Sequence, residues 1–166
     1  MNDKIIKVTK ELLPYVLIIL IVVLIRSFII TPVTVDGPSM NETLHNGEVL
    51  LLKKFDKSFD RYDVVVFIKK GKTQEKLIKR IIALPGEKVK CVSGIIYVNN
   101  EEIEDSHAHG ETKDFGEVIV GENEYFVMGD NREVSYDSRY FGPIKKENIL
   151  GVTDFRLFPF NKFGNF

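Results

Sequence analysis

Lys76-Leu77-Ile78-Lys79-Arg80-Ile81-Ile82-Ala83-Leu84-Pro85-Gly86 is the stretch whose reading decides the fold. Its apolar, β-branched run reads as a strand. In extended backbone Leu77, Lys79, Ile81 and Ala83 share one face and Ile78, Arg80 and Ile82 the other, so neither face is simply polar. A lysine is thus embedded in a strand too apolar for an ordinary surface ammonium. Runs of the same kind, bounded by Gly, Asn and Asp, occur at Val49–Lys53, Val64–Lys69, Lys88–Val92, Ile95–Val98, Tyr125–Met128 and Gly151–Arg156. Ser93-Gly94 and Asn99-Asn100 fit tight connections in a meander or hairpin. About seven short strands in so small a region predict a mainly β fold: a small antiparallel barrel-like domain, closed or half-closed. Residues 101–124, rich in acids and carrying His107, His109, Gly110 and Gly116, read as a solvated loop or a weakly specified insertion.

On the amino-terminal side the pattern is different. Leu12 to Ile30 is apolar apart from Pro14, Tyr15, Arg26 and Ser27. At about 1.5 Å per residue, that length as a helix nearly matches the hydrocarbon core of a bilayer. Pro14 is expected in the first turn, where a missing N–H does no harm, and Arg26 near the end, where its stem can snorkel. Lys4, Lys7 and Lys10 precede the run, whereas Asp36 and Glu42 follow it, which places the amino terminus in the cytoplasm. Ile29-Ile30-Thr31-Pro32-Val33 offers no small-x-small cleavage site, so the segment reads as a retained anchor rather than a removed leader. The expected division is a cytoplasmic tail over 1–11, a single membrane span over 12–30 and an extracytoplasmic β-rich domain over 31–166.

Composition narrows the function. The 166 residues are 44% hydrophobic and 28% charged, enough for one modest core and one anchor. Lys and Arg number 23 against 24 Asp and Glu, a net charge of -1, so the basic excess that phosphate neutralisation needs is missing and nucleic acid is not an expected partner. Cys91 is the sole cysteine and reads as a buried small apolar residue. His107 and His109, one residue apart in an acidic stretch, lack the further ligands a zinc site needs, so neither metal nor cofactor is expected. Asp56 and Asp60 near Lys53, Lys54 and Lys57 read as a mixed-charge surface.

Three segments carry chemistry. In Val35-Asp36-Gly37-Pro38-Ser39-Met40, Pro38 fixes its own φ and Gly37 reaches conformations closed to other residues, so Ser39 can present Oγ and backbone N–H toward one point. That suits a nucleophile with an oxyanion-binding N–H; it also suits an ordinary Gly-Pro turn with a capping serine. Lys79 shifts the balance. An ordinary lysine is neutral only about one part in a thousand near neutral pH, and burial can lower its pKa by about 3 to 5 units, which makes a competent general base. The plainer alternative is an edge-strand lysine that discourages aggregation. The third segment runs from Gly129 to Gly142, where Asp137 and Arg139 can pair and Ser135 can donate or accept beside an amine; it can equally be a polar loop that satisfies turn backbone.

In this order and behind one membrane span, the three segments resemble the boxes of the bacterial type I signal peptidases, in the compact form of Gram-positive bacteria. The serine box is Val35 to Met40 with Thr43-Leu44, and an apolar strand box is Asp63-Val64-Val65-Val66-Phe67. The lysine box is Lys79 to Gly86; the last is Gly129-Asp130-Asn131-Arg132 with Ser135, Asp137-Ser138-Arg139 and Phe141-Gly142. The resemblance implies a membrane-bound serine endopeptidase in which Ser39 attacks the scissile carbonyl, Lys79 takes its proton and Ser135 hydrogen-bonds Lys79. Asp137 and Arg139 would be structural. Substrates would be secretory preproteins with small residues at the first and third positions before the cut, and the enzyme would be a single-pass protein of the cell membrane in contact with its lipid. By position in the boxes, Val35, Leu44, Leu77 and Ile78 are the expected pocket residues. Asn41-Glu42 stand where the family usually has a proline, Ala83 where it often has glycine, and Gly37 where some relatives have a hydroxyl donor. A catalytically silent anchored module that captures extended peptides is the alternative; a self-cleaving repressor-type protease would carry a DNA-binding domain where this chain has an apolar span.

Overall fold

The computed structural model describes residues 3–55, 58–71 and 74–166, so Asp56 and Lys57 of the expected mixed-charge surface lie outside the described residues. The first element is a helix, α1 (Asp3–Phe28). Within it Lys7–Phe28 contains an 18-residue stretch of mean hydropathy 2.4 in which no residue is buried by the rest of the protein. The helix begins nine residues earlier than the apolar run. Pro14 therefore sits in its interior rather than its first turn, at the cost of one intrahelical hydrogen bond. The helix also ends before Ile30, because that residue already pairs in the first strand.

Among the described residues twelve strands follow: β1 (Ile30–Thr34), β2 (Val49–Lys53), β3 (Val64–Lys69), β4 (Glu75–Ala83), β5 (Lys88–Val92), β6 (Ile95–Val98), β7 (Glu101–Glu102), β8 (Phe115–Ile119), β9 (Glu124–Met128), β10 (Ile144–Lys145), β11 (Ile149–Phe158) and β12 (Gly164–Asn165). A short helix, α2 (Ser138–Phe141), lies between β9 and β10. All strand pairs are antiparallel. The large sheet runs β1-β2-β11-β3-β4-β9-β10 with β12 on β11, and the small one β7-β6-β5-β8. Pairing in the large sheet leaves β1 and β10 as edges, so the domain has the mainly β, antiparallel architecture expected from its turn-bounded runs, built as two sheets.

The central strands explain their own composition. Ile81, Tyr125 and Val127 enter a core with Phe59, Phe67 and Val152. Their neighbours Ile82, Phe126 and Met128 enter a second core against the small sheet, with Val89, Ile96 and Val98. β4 and β9 are covered on both faces, which is why neither shows polar alternation. Cys91 belongs to the second core and is 2% exposed. A third cluster, Val35, Met40, Leu44, Leu50 and Val64, sits beneath the loop between β1 and β2.

The region 101–124 is not a plain solvated loop. β7 and β8 extend the small sheet, Val120 is buried in its core, and the His109 backbone pairs with the Asp130–Arg132 backbone. Glu101 and Glu102 on β7 and Glu117 on β8 are exposed, so the pattern read as solvated while the backbone was recruited by β5 and β6.

Candidate active site

The loop between β1 and β2 carries Ser39. It leaves the sheet at Val35, whose N–H donates to Glu48 O, and turns at Gly37, where φ is +88°. That left-handed backbone is open to glycine, and the Gly37 N–H donates to Asn46 Oδ1 at 2.9 Å. Met40 and Leu44 then anchor the loop in the third core, each with at most 1% of its surface exposed.

β4 delivers Lys79 to the same point. Lys79 is 2% exposed, and its Nζ donates to Ser39 Oγ at 2.6 Å and to Ile78 O at 3.0 Å. Burial lowers the lysine pKa to about 8; Asp137 and Asp130 oppose the shift and Arg139 adds to it. The two carboxylates do not rescue the ammonium because each is held by a guanidinium. Arg80 grips Asp130 through Nε at 2.9 Å and Nη2 at 2.6 Å, and Arg139 grips Asp137 through Nε at 2.8 Å and Nη2 at 2.9 Å. An amine with no counter-ion of its own is what remains between them.

The turn after β9 closes the site from the other side. Asn131 N–H donates to Ser39 O at 3.1 Å, which ties this turn to the serine backbone. Gly129 lies so close that a Cβ there would collide with Ser135 Oγ and Ser39 O. The Gly129 N–H donates to Asp137 Oδ2 at 2.9 Å, while Asp137 Oδ1 caps α2 through Arg139 N–H. Arg139 Nη2 also reaches Arg132 O at 2.8 Å. Asp137 thereby joins turn, helix and arginine, the pairing expected from its spacing to Arg139.

Ser135 departs from expectation. Its Oγ is buried against Gly129 and forms no hydrogen bond, so the bond to Lys79 is absent here. The Ser39 N–H is likewise without a hydrogen bond among the described residues.

Beside Ser39 and Lys79 runs a cleft of about 300 Å³ bordered by residues 31–36 and 76–79. Val35, Leu77 and Ile78 line it. Leu44 does not: it is fully buried in the third core, because the loop's turn directs it under the serine rather than alongside it. Val33, Asp36, Met40 and Val66 line the cleft without having been singled out. Two strand edges face it. Among the described residues β1 pairs only with β2, and β4 pairs with β9 only from Arg80 onward, so residues 76–79 keep one side free.

Comparison with known proteins fits this geometry. The family model described as signal peptidase, peptidase S26 matches residues 8–158. The chain belongs to that signal peptidase family. It is 38% identical over 163 residues to signal peptidase I S of Bacillus subtilis, covering 89% of this chain and 87% of that protein. Identity to signal peptidase I of Bacillus licheniformis is 36% over 162 residues, again covering 89% and 87%. A crystal structure of a signal peptidase I from Enterococcus faecalis superposes with a TM-score of 0.51 at 32% identity, over 57% of this chain and 96% of that one. The signal-peptidase match takes in most of α1, both strands that border the cleft and the turn after β9; residues 1–7 and 159–166 lie beyond it.

Proposed function

We propose that the protein is a membrane-anchored serine endopeptidase that removes signal peptides from secreted preproteins, with Ser39 as nucleophile and Lys79 as general base. The 2.6 Å contact between Lys79 Nζ and Ser39 Oγ, inside a wall that lowers the lysine pKa to about 8, carries the reading. At pH 7.4 about one such amine in five is neutral, against about one in a thousand for an ordinary lysine. The neutral amine accepts the Ser39 hydroxyl proton as Oγ attacks the scissile carbonyl. The unbonded Ser39 N–H is available to the oxyanion, and the Lys79 ammonium then protonates the leaving amine. Water, deprotonated by Lys79 in turn, releases the acyl group.

Asp137 and Arg139 hold the turn in place. Ser135 keeps the role of an acceptor for the Lys79 ammonium during turnover, a contact absent from the resting geometry.

An extended peptide would lie between the free edges of β1 and β4 and bridge them. Main-chain hydrogen bonds set its register and alternate side chains meet Val35, Leu77 and Ile78. The small residues expected before the cut suit a floor already filled by Val35 and Met40. With Lys4, Lys7 and Lys10 cytoplasmic, α1 crosses the cell membrane once and the β domain works outside. A silent binding module is not favoured, given the identity to named peptidases over most of the chain.

The test is incubation of a radiolabelled preprotein in detergent with the wild type, Ser39→Ala and Lys79→Ala. Cleavage by the wild type alone is the expected result; full cleavage by either variant refutes the dyad.

A further inference from the structure

Alternation along one strand separates the floor of the cleft from its rim. Val35 is buried in the third core, Val33 packs against it, and Ile78 of β4 packs against the same core from across the cleft. Thr34 and Asp36 face the other way and are exposed. The alternation continues past the end of β1 because Val35 is still paired: its N–H donates to Glu48 O and its carbonyl accepts from Gly47 N–H, both at 2.9 Å. Gly37 N–H is then tied to Asn46 Oδ1 at 2.9 Å. The backbone is thus pinned on both sides of Asp36, which lines the cleft on the rim face, three residues before Ser39.

Among the described residues the Asp36 carboxylate accepts no hydrogen bond and pairs with no cation. It differs in this from the other carboxylates around the serine: Asp130, Asp137 and Glu48 are each held by an arginine. The charged residues that line the cleft are Asp36, Lys76 and Lys79. Lys79 is committed to Ser39 Oγ. Lys76 stands three residues back along β4, about 10 Å away in extended backbone, and shares the floor face with Ile78. At the serine end, the rim therefore presents one unpaired charge, and it is negative.

We propose that Asp36 is a specificity-determining residue that favours a basic side chain at the second position before the cut. The inference rests on the peptidase reading above. A substrate strand lying between β1 and β4 shares their pleat, so its successive side chains alternate between floor and rim. The small residues at the first and third positions before the cut meet the floor at Val35, Val33 and Ile78. The residue between them faces the rim, on the side of Thr34 and Asp36. A lysine or arginine there can lie along the rim and bring its charge to the carboxylate, whereas an aspartate or glutamate meets a like charge. Because the pair forms at an exposed rim, it acts as a modest, salt-sensitive preference rather than an absolute requirement.

The test gives the full-length protein in detergent three forms of one preprotein that differ only at the second residue before the cut, which is Lys, Gln or Glu. For each form kcat/KM is measured with the wild type, Asp36→Asn, Asp36→Lys and Lys76→Gln, at low salt and at about 0.5 M salt. The wild type is expected to prefer Lys over Gln over Glu, with about a fivefold span from Lys to Glu that falls below about twofold at high salt. Asp36→Asn should bring the span below about twofold, Asp36→Lys should reverse its order, and Lys76→Gln should leave it as in the wild type. Each span is a ratio within one enzyme, so a general loss of turnover does not enter it. If neither Asp36 variant cuts, the wild-type span decides: one that collapses with salt supports the inference, and one that survives salt overturns it. Equal cleavage of the Lys and Glu forms by the wild type, or the same span in Asp36→Asn as in the wild type, overturns the inference and leaves the peptidase reading standing. Failure of the wild type to cut any of the three forms overturns the peptidase reading and this inference with it.

Discussion

Lys79 is buried without an anion to call its own, since Asp130 and Asp137 are each engaged by an arginine. Keeping its charge costs about 3 kcal/mol, given a pKa of about 8 in the fold against 10.5 in a free chain. The sign follows from linkage: the folded pKa is the lower one, so between pH 8 and 10.5 the unfolded chain binds more protons and stability rises with pH. Lys79→Met is therefore expected to gain stability over the wild type by an amount that is largest below pH 8 and shrinks by about 3 kcal/mol toward pH 10.5, as read by urea unfolding in detergent. A gap independent of pH would show that the amine is not desolvated. Gly129→Ala drives a methyl into Ser135 Oγ and Ser39 O, so it should cost about 1–3 kcal/mol and displace the serine, lowering cleavage more than tenfold. Lys79 was legible in the sequence because a cation flanked by apolar neighbours on both strand faces has few harmless places to go. Leu44 was not, because an apolar residue five places after the candidate serine reads alike whether it lines a pocket or fills the core beneath one. The missing Ser135–Lys79 bond belongs with it: spacing along a chain does not set the direction of a buried hydroxyl.

At the scale of elements, a four-residue helix is too short to hold itself and α2 depends on its cap. Asp137 accepts from Gly129 N–H, Arg139 N–H and the Arg139 guanidinium at once, with none of its surface exposed. Asp137→Asn removes the charge that two buried cationic contacts require and is expected to cost about 3–5 kcal/mol in urea unfolding, while Asp137→Glu should recover part of it. A loss under 1 kcal/mol for Asp137→Asn would mean that the capping turn is held elsewhere. A parallel clamp holds the serine loop from the far side: Arg156 pairs with Glu48 at 2.7 Å and donates to Thr43 O at 2.8 Å. Arg156→Met should loosen that loop and lower kcat for a preprotein several-fold, with a smaller change in KM; an unchanged kcat would count against a positioning role. The strands from β2 to β6, with β9 and β11, were readable because β-branched runs ended at turn residues. β1 was hidden behind the apolar anchor and Pro32, and β8 behind Gly116, Glu117 and the acids that precede it, since both are recruited by a partner strand rather than declared by their own pattern.

For the molecule as a whole, the unpaired strand edges and the cleft are one feature. The edges left by β1 and β4 flank the groove that ends at Ser39, so the gap between them is where an extended chain can pair on both sides. α1 enters at the same end of the sheet as the mouth of that groove, which suits a substrate whose apolar segment is still in the membrane. None of this yields cleavage unless the buried amine can lose its proton near physiological pH. Cleavage of a preprotein by the full chain from pH 6 to 10 tests that most directly, with kcat/KM reporting the base of the free enzyme. The predicted profile rises with pH through a midpoint of about 8, the pKa that burial gives Lys79; a flat profile, or a rise centred near 10.5, would contradict it.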